Sequence, residues 1–98
     1  MSVTLSTPAA TGQVAKLPSS FLSTQLDGEL ILMHGESGAF FSLTDTGLAI
    51  WNALDRSGVL GEVADILASE YEVDRLECLE SVVQFSKELV DAGFAKYR

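Results

Sequence analysis

The side chains that could carry out chemistry are few and far apart in the sequence. The chain has one histidine, His34, and one cysteine, Cys78. Catalysis usually needs a nucleophile or an acid–base pair with an orienting partner, and no motif around either residue supplies one. His34 stands beside a predicted turn, as a surface histidine would. Cys78 lies among apolar residues, which favours an inert, buried thiol.

No other pattern indicates a reactive centre. The acidic residues between positions 70 and 80 are expected to form a solvated face. One cysteine and one histidine cannot build a zinc site. The chain also has neither a glycine-rich phosphate loop nor a nucleophile elbow. The sequence therefore predicts a protein that is not an enzyme and that uses no metal and no cofactor.

The composition indicates one small acidic domain. The 98 residues are 47% hydrophobic and carry a formal net charge of -8, which fits a single modest core. Such a surface repels phosphate backbones, so nucleic acid is not expected as a partner. The N-terminal segment is not a signal peptide, and no apolar stretch is long enough to span a membrane. Together with the lone cysteine, this predicts a cytoplasmic protein with no membrane partner.

Turn signals and apolar periodicity predict an α+β fold in which a three-stranded antiparallel sheet is followed by three helices. Residues 1–16, rich in Ser, Thr and Ala, are expected to form a flexible tail, and residues 17–98 the folded domain. Asp27-Gly28 is a typical hairpin turn, and Gly93 a typical helix C-cap. The strands are predicted at Ser20–Leu26, Glu29–His34 and Ala39–Leu43, and the helices from Thr44 or Asp45 to Leu54, Leu60 to Tyr71 and Asp74 to Ala92.

The third predicted strand is the segment best suited to binding. It ends the sheet, so its edge is open to an added peptide strand. Alternation places Phe41 and Leu43 on one face with Ala39, and Phe40 and Ser42 on the other. One face would complete the core, and the other would shape a peptide groove. The alternative is that both phenylalanines are core residues only.

The third predicted helix is apolar over a wider sector than a surface helix needs. One of its apolar stripes consists of Cys78, Val82, Phe85 and Leu89. Either this helix is deeply buried, or part of the sector faces a groove. The sheet and helices suggest a winged helix, but a DNA-binding helix would need basic residues. Five acidic residues between positions 74 and 91 outnumber two basic ones, so a nucleic-acid-binding regulator is the less favoured alternative.

Several short motifs occur in an order that resembles a known family. They are "DGE" from Asp27, "FFSLT" from Phe40, "GLAIW" from Gly47, "YEVD" from Tyr71 and V-x-x-F-x-x-x-L from Val82. This order is similar to that of pyrroloquinoline-quinone biosynthesis protein D. The family includes the recognition elements for precursors of ribosomally made, post-translationally modified peptides. The resemblance covers residues 26–94.

The resemblance implies a winged helix-turn-helix-like domain that has no catalytic activity and binds the leader of a precursor peptide. The leader would add to the third strand, lie in a cleft against the third helix, and be presented to a maturation enzyme such as a leader peptidase or a radical SAM enzyme. The implied peptide-binding residues are Ala39, Phe40, Phe41, Ser42, Leu43, Cys78, Val82, Phe85 and Leu89.

Several alternatives stay open at this point. The spacing of the last three residues also fits core packing, which would leave residues such as Ser81 or Glu88 at the groove. The pathway could be one for lasso peptides, with this chain as its stand-alone element, or one for cofactor biosynthesis. The chain could instead be a small adaptor that binds a protein through the third helix. An open strand edge also allows two copies to pair as a homodimer.

Overall fold

The structure, a computed structural model, describes residues 12–98. A sheet of three antiparallel strands, which lie side by side in chain order, is followed by three helices, which confirms the predicted fold class. A single turn of 3-10 helix, Pro18–Ser20, precedes the first strand of this sheet. In chain order the elements are β1 (Val14–Lys16), β2 (Phe21–Leu26), β3 (Glu29–His34), β4 (Phe40–Leu43), α1 (Asp45–Ala53), α2 (Leu60–Tyr71), α3 (Arg75–Asp91) and β5 (Ala95–Tyr97).

Glycines with positive φ lie in both turns of the three-stranded sheet. Gly28 has a φ of 74° and Gly38 a φ of 75°, a backbone region that is costly for other residues. Across the second turn, the backbone N–H of His34 donates to the carbonyl of Ala39 at 2.8 Å. The three predicted strands are confirmed to within one residue at their ends.

The two ends of the described chain form a second sheet that the sequence did not predict. Strand β1 pairs antiparallel with β5, with Val14 opposite Tyr97. Val14 is buried in the core. The ammonium group of Lys16 lies 3.9 Å from the centre of the Trp51 ring and 2.7 Å from an Asp55 carboxylate oxygen. These contacts fasten the N-terminal strand to the helical layer.

The prediction of a flexible tail over residues 1–16 is therefore wrong for its last part. Residues 14–16 are a strand that packs on the domain, whereas residues 1–11 lie outside the described residues. The physical reason is that three residues carry too little periodicity to indicate a strand. Their backbone groups become satisfied only by pairing with a segment from the other end of the chain.

The helices match the predicted ones closely. Helix α2 has the predicted bounds, and α3 is one residue shorter at each end. The side chain of Thr44 or Asp45 was expected to cap the first helix; Thr44 stands at the N-cap of α1, but its side chain makes no capping hydrogen bond. Gly93 follows α3 with a φ of 88°, as expected for a C-cap. A Cβ at this position would also lie only 2.7 Å from Nε2 of His34.

An aromatic cluster around Phe94 joins the sheet to the helices. Phe94 is fully buried, and its ring centre lies 5.0 Å from that of Phe41 and 5.7 Å from that of Phe21. The ring of Phe21 in turn lies edge-on to Trp51, at 5.5 Å. Phe41 is thus half-buried and packs against the core, whereas Phe40 is 64% exposed. The alternative that both phenylalanines are core residues is wrong for Phe40.

Candidate functional site

Strand β4 has an open edge. Within residues 12–98 it pairs with β3 alone. His34 and Ala39 form a hydrogen-bonded pair, so the alternation of an antiparallel ladder makes Phe40 and Ser42 members of non-hydrogen-bonded pairs. The backbone N–H and C=O groups of these two residues therefore point away from β3. They offer two donors and two acceptors to an added strand.

The outer face of the sheet carries an exposed apolar row next to this edge. Leu22 pairs with Met33, and Met33 pairs with Phe40, so the three side chains lie side by side across β2, β3 and β4. Their exposed fractions are 75%, 48% and 64%. On the same face, the hydroxyl of Ser42 donates to the carboxylate of Glu29. We call the three apolar residues the outer row.

A groove lies where β4 passes into α1, between the start of α1 and helix α3. Two adjoining cavities, of about 700 Å³ and 330 Å³, share Thr46 and Ser81 in their walls. The larger cavity is lined by Asp45, Thr46, Ala49, Leu67, Tyr71, Val73, Glu77, Cys78 and Ser81. The smaller one is lined by Thr46, Gly47, Ile50, Glu80, Ser81, Gln84, Phe85 and Glu88.

Gly47 connects the strand to this groove. A Cβ at Gly47 would lie 3.4 Å from the Phe85 ring and 4.0 Å from the Leu43 side chain. The absence of a side chain here lets α1, the end of β4 and the middle of α3 meet closely. No residue of β4 lines either cavity, and Gly47, four residues after the end of the strand, stands in the groove wall.

The structure divides the predicted helix residues between core and groove. Val82 and Leu89 are 0% exposed and belong to the core. Cys78 is buried but lines the larger cavity, and Phe85 is half-buried and lines the smaller one. On β4, Leu43 is buried in the core, whereas Ala39 and Phe41 are half-buried and Phe40 and Ser42 are exposed.

The polar stripe of α3 supplies most of the helix wall of the groove. Glu77, Ser81, Gln84 and Glu88 follow each other at helical spacing and line the two cavities. Apolar periodicity cannot find such residues, although Ser81 and Glu88 were the open alternative in the sequence. The sequence analysis also did not predict Tyr71 and Val73 as groove residues. Their only sequence signal is that they are two apolar residues on either side of Glu72, which has a φ of 53° in the structure.

The groove is acidic. Asp45, Glu77, Glu80 and Glu88 stand in its walls, which contain no Lys, Arg or His. The pKa of the Cys78 thiol is raised, first by burial and then by the charges of Asp74 and Glu77. Cys78 is therefore held as a neutral thiol near neutral pH, which disfavours nucleophilic chemistry.

The remaining sequence candidates for chemistry are not brought together. His34 serves the β3–β4 turn, since its Nδ1 accepts hydrogen bonds from the backbone N–H groups of Glu36 and Ser37 at 3.3 Å. Among residues 12–98 there is no cluster of His, Cys, Asp and Glu side chains that could hold a metal ion. In that same part of the chain, no helix has the length and apolarity needed to cross a membrane.

The fold and site define a winged-helix-like domain with an open strand edge beside a helix-walled groove. The profile of the family described as "Coenzyme PQQ synthesis protein D (PqqD)" matches residues 29–95, from β3 to the start of β5. The chain belongs to this family, which confirms the resemblance seen in its motifs.

Two solved structures are similar to this chain over most of its length. TbiB1 in complex with the TbiA(beta) leader peptide is 27% identical, with a TM-score of 0.74 over 84% of this chain and 95% of that one. A lasso peptide synthetase B1 complexed with the leader peptide is 28% identical, with a TM-score of 0.74 over 86% and 98% of the two chains. No curated protein matches the chain significantly.

Proposed function

We propose that this protein recognises the leader region of a ribosomally synthesised precursor peptide and has no catalytic role itself. The observation that carries the proposal is the open edge of β4 beside the groove along α3. Two proteins of the same fold, at 27% and 28% identity, have been solved as complexes with leader peptides. The site's neutral thiol and turn-bound histidine give no support to a catalytic role.

The leader binds by strand addition in this proposal. An extended peptide hydrogen-bonds to the outward backbone groups of Phe40 and Ser42, which gives affinity without regard to sequence. Each such bond contributes about 0.5–1.5 kcal/mol net. Alternate side chains of the peptide point toward the groove and give selectivity.

The proposed contact residues follow from exposure. On the strand, Phe40 and Ser42 contact the peptide directly, with Ala39 and Phe41 beside them. On α3, the wall consists of Cys78 and Phe85 together with the polar stripe. Leu43, Val82 and Leu89 are buried, so they support the groove from below.

We propose further that the domain presents the bound leader to a maturation enzyme, such as a leader peptidase or radical SAM enzyme, which docks on the outer row. Phe40 belongs both to this row and to the open edge of β4, so an enzyme bound to the outer row would lie next to the bound peptide. The sheet that carries the row and its two turns contain Asp27, Glu29 and Glu36 but no Lys or Arg, so this face would fit a partner whose apolar patch has basic surroundings.

The charge of -8 on every copy works against a homodimer through this face or the β4 edge.

Leu22→Ser tests the docking step, because Leu22 lies on the strand farthest from the β4 edge. Unchanged leader affinity with slower processing by the enzyme encoded beside this gene is expected. Processing at the wild-type rate would contradict docking on the outer row.

A titration tests the recognition role. Synthetic leader peptides of precursors encoded near this gene are added to the isotope-labelled protein, and amide NMR shifts are followed. Saturable shifts are expected at residues 39–43 and along the groove face of α3, with little change in β1 and β5. Absence of binding to every neighbouring leader, with the protein folded, would refute the role. Shifts confined to α3 would favour an adaptor that leaves the strand edge unused.

A further inference from the structure

The acidic residues of the groove have no basic partners within the described chain. The four salt bridges among residues 12–98 use Asp55, Asp65, Glu70 and Asp91 as their acids. None of these lines either cavity. The carboxylates of Asp45, Glu77, Glu80 and Glu88 therefore leave four negative charges around the groove without an internal counter-charge.

All six basic residues of the protein lie within residues 12–98, and none of them lines either cavity. No Lys or Arg occurs between Leu17 and Asp55, a stretch that includes the whole three-stranded sheet and α1. On α3, Lys87 pairs with Asp91 and Arg75 pairs with Asp65 of α2. A strand added to β4 would thus meet carboxylates on the α1 and α3 sides, and no cation from β4.

The groove floor is apolar beneath these charges. Leu67 and Cys78 are buried and Ala49 is half-buried in the larger cavity, with Ile50 buried in the smaller one. Charges at the mouth of an apolar cleft act through a medium less polarisable than water, so their attraction for an opposite charge is strengthened. An acidic peptide would be repelled both here and by the net charge of the chain.

We infer that this groove selects a cationic leader segment, with Lys or Arg side chains at the positions that face Glu77, Glu80 and Glu88 on α3. This inference rests on the proposed leader binding and adds the charge class of the peptide. The carboxylates act as specificity determinants. The backbone bonds to β4 supply affinity that does not depend on charge.

The test uses the full-length protein and the leader peptide that gives the strongest binding in the titration above. Its affinity is measured by calorimetry for the wild type and for Glu77→Gln, Glu80→Gln, Glu88→Gln and the triple variant. Glu62→Gln on α2 is the matched control, because Glu62 is exposed, accepts a hydrogen bond from the Ser57 hydroxyl and lines neither cavity. A second peptide carries Gln in place of every Lys and Arg.

Each single groove variant is expected to weaken binding about two- to fivefold, as for an exposed ion pair, and the triple variant at least about tenfold. The Gln-substituted peptide should bind the wild-type protein weakly, and its affinity for the triple variant should be only slightly lower. Raising NaCl from about 50 mM to about 500 mM should weaken the wild-type complex and hardly affect the triple variant. Glu62→Gln should bind as the wild type does.

Two results overturn the inference, and they are distinguishable. If the wild type binds no leader, the recognition role itself fails, and the inference fails with it. If the leader binds but the triple variant and the Gln-substituted peptide retain wild-type affinity at both salt concentrations, recognition stands and charge selection is refuted. A bound leader that contains no Lys or Arg would refute charge selection in the same way.

Discussion

Replacing Ser42 by proline tests strand addition at a single hydrogen bond. Ser42 pairs with Ile31 as a non-hydrogen-bonded pair, so its N–H takes no part in the β3–β4 ladder and points to the open edge. Proline removes this donor and places its ring where the added strand would lie. Proline is tolerated on edge strands, so the fold should survive the change.

The expected loss of affinity has two sources: one missing hydrogen bond, and one peptide carbonyl that is left without a donor. The bond itself contributes about 0.5–1.5 kcal/mol, and a peptide carbonyl left without a partner at a covered edge adds a cost of about 1 kcal/mol or more. A total near 2 kcal/mol corresponds to about a thirtyfold rise in Kd, since about 1.4 kcal/mol is a factor of ten. Calorimetric titration with the leader peptide measures this change directly.

Two control variants separate the lost N–H from other effects of the substitution. Ser42→Ala removes the hydroxyl that bonds Glu29 but keeps the backbone donor, so it should cost little affinity. Ser23→Pro removes an outward N–H from β2, the opposite edge of the same sheet, and should also leave binding intact. Wild-type affinity of a folded Ser42→Pro protein would refute strand addition at β4, as would an equal loss from Ser23→Pro.

Four further predictions concern the core and the thiol. Phe94→Ala should lower the free energy of unfolding by about 3–5 kcal/mol, measured by urea denaturation, because it empties the centre of the aromatic cluster. A loss below about 1 kcal/mol would contradict that role. The Ser86 hydroxyl is fully buried and has no hydrogen-bond partner within the described residues, so Ser86→Ala should leave stability unchanged or raise it by about 1 kcal/mol. A clearly lower Tm would show that the hydroxyl is satisfied in solution. Because burial raises the pKa of the Cys78 thiol above its ordinary value, alkylation of the native thiol should be slow near neutral pH, quicken at strongly alkaline pH, and slow further when leader fills the groove. The same upward shift of the Cys78 pKa means that stability falls as pH rises past the ordinary pKa of a thiol, since the unfolded thiol loses its proton first. Native alkylation as fast as in the urea-unfolded protein would contradict this account of Cys78.

Much of the fold was determined by local sequence. Gly28 supplies the positive φ that the turn between β2 and β3 needs, so Asp27-Gly28 marks where β2 ends and β3 begins. The apolar period of α2 and the glycine after α3 gave the helix bounds almost to the residue. The alternation of side chains along β4 is sufficient to place Phe41 and Phe40 on opposite faces of the sheet. The order of these motifs was enough to indicate the family.

Only the tertiary structure decided what each face is for. Periodicity shows that Val82 and Leu89 share a stripe of α3, but whether that stripe meets the core or a groove depends on which neighbours pack against it. The polar stripe that forms the groove wall looks like any solvated helix face in sequence. The pairing of β1 with β5 also had no local signal, because strands of three residues gain their hydrogen bonds only from a partner at the far end of the chain.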